Sequence, residues 1–133
     1  MDLVARIQSI LSDDTLDKGG SDVEAIEALI QEVGWEPIQV ELLRCLWDEK
    51  QRNHWYSVAA VFWGATLDER PMPADKVIAS LYLRLDTRNC TDEEENLAWG
   101  ITSKLKGVDY LSEYDPLKDP DVLEELNLLR RSA

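Results

Sequence analysis

The stretch 54–67, HWYSVAAVFWGATL, constrains the fold of this chain most strongly. It reads as one apolar helix in an otherwise acidic sequence. Its large side chains Trp55, Val58, Phe62 and Trp63 fall at helical spacing, and Val61 and Ala65 carry apolar character onto a second face. Ala59 and Ala60 widen that face. A helix that is apolar over more than one stripe packs on several sides at once. The other elements are therefore expected to cover it, with Trp55, Phe62 and Trp63 holding the core.

The rest of the chain supplies further amphipathic helices. Leu3, Val4, Ile7, Ile10 and Leu11 recur at helical spacing over residues 2–11, before a polar loop at 12–20. Ser21 and Glu24 have the spacing of a capping box and open a helix to Val33, with a stripe of Val23, Ile26, Ile30 and Val33 joined by Leu29. Gly34 suits its left-handed end. Pro37 fits the first turn of a third helix, 37–49, with Ile38, Leu42, Cys45 and Leu46 inward. The charged connector 48–53 offers Asn53 as a cap for the central helix. Two prolines in LDERPMP close that helix, and the next spans residues 74–86 through Val77, Ile78, Leu81, Tyr82 and Leu85.

Thr91 and Glu94 form a second capping signature, opening a helix that ends at Gly107. Its acidic first turn and its Lys104 and Lys106 in the last turn match the helix dipole. A loop over 108–120 leads to a last helix, 120–131, through Val122, Leu123, Leu126 and Leu129. No segment shows the clean alternation of a half-buried strand. The expectation is an all-α single domain over 1–133, an irregular bundle or stacked helical hairpins of about seven short helices.

Composition narrows the possible partners. The 133 residues hold 27 acidic against 14 basic side chains, a net charge of −13. Such a field repels nucleic acid and anionic membranes and attracts cationic partners. The longest apolar runs are too short to span a bilayer. The amino terminus lacks the basic start, apolar centre and cleavage site of a signal peptide, so a cytoplasmic location is expected. Cys45 and Cys90 lack CxxC spacing and read as buried thiols.

Chemistry is sparse. The lone histidine, His54, rules out the paired-histidine metal motifs, and no serine lies in a G-x-S-x-G setting. His54 and Ser57 could share a helical face, although a cap or surface position is expected for the imidazole. Phosphate-loop motifs are missing, and the loop DDTLDKGG lacks the ligand order of a calcium loop. Neither a catalytic residue nor a metal or cofactor site is assigned. Trp35 and Trp99, off the main stripes, are candidates for exposure to a partner.

The loop after Gly107 is the best candidate surface. Asp109, Glu113, Asp115, Asp119 and Asp121 are interleaved there with Tyr110 and Tyr114. Carboxylates around tyrosines can anchor Lys and Arg side chains by ion pairing and cation–π contact. Charge reversal at Asp109, Asp115 and Asp119 is expected to weaken such binding without lowering thermal stability.

The segment from FWGATLDERPMPADKVIASLYLRL through ENLAWGITSKLKGVDYLSEYDPLKDP, residues 62–120, resembles small helical bacterial immunity proteins. These neutralise toxins of contact-dependent inhibition and related polymorphic toxin systems. The resemblance implies an inhibitor that binds a cognate protein toxin, expected to be a basic nuclease, through an acidic surface, and it carries over no individual residue. A helical adaptor or scaffold for another protein or peptide is the alternative. An enzyme built on loop carboxylates, or on a pocket beneath the central helix, is a third reading.

Overall fold

In the computed structural model, residues 2–86, 90–109 and 113–132 are described, and the sequence periodicities become seven α-helices without a strand among them. They are α1 (Leu3–Leu11), α2 (Ser21–Val33), α3 (Trp35–Trp47), α4 (Trp55–Leu67), α5 (Ala74–Leu85), α6 (Asp92–Lys106) and α7 (Pro120–Ser132). Two 3-10 helices, Glu49–His54 and Pro116–Lys118, lie between them. Among the described residues no helix is long and apolar enough to cross a membrane.

The chain divides into two compact units, Met1–Val61 and Phe62–Ala133, with the division inside α4. In the first, α1, α2 and α3 all touch one another and the first 3-10 helix lies on α3. In the second, α5 packs against both α6 and α7. Neighbourhood along the chain explains the α5–α6 pairing but not the other: α7 returns to α5 past the intervening helix, which is bundle packing. Accordingly α5 is buried on several faces, through Val77, Ile78, Ala79, Leu81 and Tyr82. The apolar stretch of α4 buries Trp55, Val58, Ala59, Val61, Phe62 and Ala65, while Trp63 is only half-buried.

Helix ends show where short-range reading held and where it did not. Thr91 and Glu94 form the reciprocal capping box, with the Glu94 amide donating to Thr91 Oγ1 at 3.1 Å and the Thr91 amide to Glu94 Oε1 at 3.2 Å. Gly107 closes α6 in the left-handed conformation. The Ser21–Glu24 box does not form. Ser21 is already the first residue of α2, and its Oγ faces back to accept from the Asp17 amide at 2.7 Å.

Asn53 is not a cap either. Asp48 caps the 3-10 helix by accepting from the Lys50 amide, and that helix runs directly into α4. The buried stripe of α2 is also rotated from the expected one. It consists of Asp22, Ile26, Leu29 and Ile30, while Val33 is exposed.

Candidate partner-binding site

Lys106, in the last turn of α6, organises the acidic loop. Its ammonium pairs with Asp75 in the first turn of α5 and, at 3.0 Å, with Asp119 immediately before α7. The second contact places a cation where two carboxylates would otherwise repel. Asp119 also accepts from the Tyr114 hydroxyl at 2.7 Å and from the Asp121 amide at 3.1 Å. One aspartate thereby joins the loop, the last turn of α6 and the start of α7. Asp115 caps the short 3-10 helix by accepting from the Leu117 amide at 3.0 Å.

These contacts shift titration in consistent directions. The Tyr114 hydroxyl, more than the Lys106 ammonium, holds the Asp119 carboxyl below its usual range. Burial first, and then the Asp119 carboxylate, pushes the Tyr114 phenol up. Lys106 is raised, chiefly by its bond to Asp75. Because the folded Asp119 group binds its proton less readily than the unfolded one, its contribution to stability is present at neutral pH. It is lost as pH falls through the depressed carboxyl range. Tyr114→Phe should lower the unfolding free energy by about 1 kcal/mol at pH 7. Urea titrations at pH 7 and pH 2.5 test this, the difference from wild type shrinking at the lower pH.

Of the residues expected to form the site, Asp109, Glu113 and Asp121 are exposed, and Tyr114, Asp115 and Asp119 are half-buried. Tyr110 lies outside the described residues. The half-buried members carry structural bonds, so charge reversal at Asp115 and Asp119 would cost stability. Carboxylates outnumber basic side chains in both units, so the acidity is not confined to this loop.

A second polar cluster, in the first unit, was not legible as a site. Asp22 is fully buried and accepts from the Ser57 hydroxyl and, at 2.7 Å, from the Val23 amide. The Ser57 oxygen in turn accepts from the Gly19 amide at 3.2 Å. Gly19 sits at φ 75° with its Cα against the Tyr56 ring, and an added Cβ would lie 2.3 Å from that ring. Glycine is thus required for the loop to reach α4.

His54 is buried, neither a cap nor a surface residue, and its Nδ1 lies 2.7 Å from Gln51 Oε1. Burial, assisted by the Lys18 charge, lowers its pKa. The Ser57 proton goes directly to a carboxylate rather than to this imidazole, which is not the relay of a nucleophilic triad. The cluster ties the 12–20 loop to α4.

Neither cysteine forms a disulfide, with Cys45 buried and Cys90 half-buried. The Cys45 thiol accepts from Gln8 Nε2 at 3.3 Å, and burial pushes its pKa up to about 11. At neutral pH it is a protonated, weakly nucleophilic thiol. Nearby, Glu41 is buried but held in a two-pronged pair by Arg44, at 2.6 and 3.0 Å. Trp35 and Trp99, the proposed exposed aromatics, are half-buried. Among the described residues no group of three or more His, Cys, Asp or Glu side chains is placed to hold a metal ion. Compared with protein-family models, curated proteins and solved structures, the chain matches none.

Proposed function

We propose that this chain is a cytoplasmic, immunity-type inhibitor that binds a basic protein toxin through the carboxylates around the Lys106 clamp. The clamp carries the reading. By tying Asp75, Asp119 and Tyr114 together, it fixes the frame on which Glu113 and Asp121 remain exposed. A surface already ordered in the free protein loses less conformational freedom on binding. The net charge of −13 supplies long-range attraction for a cationic partner and repulsion of nucleic acid. Inhibition by binding alone requires no nucleophile, and neither the protonated Cys45 nor the carboxylate-bound Ser57 acts as one.

The test is capture of the bound protein from source cells with the tagged full chain, followed by affinity measurement. Glu113→Lys combined with Asp121→Asn should weaken binding about tenfold or more. Because both side chains are exposed, the melting temperature should change little. Capture of no basic protein overturns the reading. Unchanged affinity in the double variant removes this loop from the contact surface.

A further inference from the structure

The last helix is covered on one side only. It buries Val122, Leu126 and Leu129 and packs against α5 and the second 3-10 helix. On its other side lies an open recess of about 420 Å³, lined by Pro120, Leu123, Glu124, Asn127, Leu128 and Arg131 of α7 alone. We propose that this face binds the same face of a second copy of the chain, with the two α7 helices antiparallel about a two-fold axis between Asn127 and Leu128. The inference does not depend on the inhibitor reading.

Helical spacing lays the face out. Pro120, Glu124, Asn127 and Arg131 follow at steps of four, three and four, which places them along one line of the helix. Leu128 flanks that line on one side and Leu123 on the other. Leu128 is 47% exposed in the middle of the helix, and Glu124, Asn127 and Arg131 are exposed around it. Covering that leucine removes apolar surface from water.

Charge selects a second copy as the cover. Glu124 and Arg131 are seven residues apart, about 10 Å along the axis, too far to pair within one helix. Neither is engaged in an ion pair among the described residues. A reversed second α7 brings each Glu124 opposite Arg131 of the other copy, so the two-fold axis forms the pair twice. Leu128 then meets its own counterpart on one flank of the axis. Asn127 meets its counterpart on the other, where the two carboxamides can each donate and accept. Parallel pairing would instead set like charges together. The Glu124–Arg131 line is itself neutral on a chain of net charge −13, so two copies can approach along it with less repulsion than their net charge implies.

The experiment is sedimentation velocity of the full chain at about 150 mM salt, from about 10 μM to about 1 mM, because a single helix pair makes a small interface and a weak dimer. The average mass should rise with concentration from that of one chain toward that of two. Glu124→Arg and Arg131→Glu should each weaken association about tenfold or more. The two substitutions combined in one chain should restore it, since the pairs re-form with their signs exchanged. Leu128→Asp should abolish it. All three residues are exposed, so the melting temperature of the dilute variants should change little.

The mass of one chain at every concentration overturns the proposal. So does a dimer that Leu128→Asp leaves intact, or one that the combined charge exchange fails to restore. A captured protein that shields the Leu128 amide from exchange, while the free chain remains single, assigns the face to that protein and removes the second copy.

Discussion

Phe62→Ala is expected to lower the unfolding free energy by about 3–5 kcal/mol, the usual cost of removing a buried phenylalanine. Phe62 is the largest of the fully buried side chains and has no exposed surface. Its replacement loses the transfer free energy of the ring and leaves a cavity that close-packed neighbours fill only in part. Urea denaturation followed by circular dichroism measures the loss as a lower midpoint. A change below about 1 kcal/mol would show that the site collapses around the smaller side chain. Such a result would remove Phe62 from the residues that stabilise the fold.

Ser57→Ala has the next largest expected effect. The mutation deletes the hydroxyl that donates to Asp22 and accepts from the Gly19 amide. It leaves a fully buried carboxyl group short of a donor, at a cost of about 1.5–3 kcal/mol. The effect should also be local. Amide exchange at Gly19 should accelerate more than exchange in α5, because the 12–20 loop loses its tie to α4. Uniform acceleration throughout the chain would assign the loss to global stability alone. Asp22→Ala should be non-additive with Ser57→Ala, since each removes the same hydrogen bond.

The fold was legible where local signals acted without competition. Apolar spacing located the seven α-helices but neither 3-10 helix, and the Thr91–Glu94 pair and Gly107 correctly bounded α6. The Ser21–Glu24 pair has the same spacing but fails, because the Asp17 amide claims the Ser21 oxygen. Sequence cannot rank those two acceptor uses when the turn geometry is unknown. Asp22 did leave a signal: it lies in register with Ile26, Leu29 and Ile30 on the buried face of α2. A carboxylate on an apolar stripe implies a buried donor, but Ser57 is distant in sequence and became its partner only through folding.

The candidate surface was legible in part for a related reason. The acidic and tyrosine-rich composition of the 108–121 segment is plain in the sequence. What composition does not separate is an aspartate that caps or pairs from one that faces water. Asp115 and Asp119 are committed to backbone amides, Tyr114 and Lys106, whereas Glu113 and Asp121 are exposed. In the sequence Lys106 shows only as a favourable charge at a helix end. Its role as a clamp depends on Asp75, which a different helix brings to it.

The proposed inhibition requires this acidic surface to draw in and hold a basic protein. Stopped-flow association of the full chain with the captured partner, measured from about 50 to 500 mM salt, tests it most directly. The association rate should fall by about tenfold or more across that range, with a smaller salt dependence in the Glu113→Lys, Asp121→Asn variant. An association rate that stays constant with ionic strength, and is unchanged in the variant, would contradict the claim.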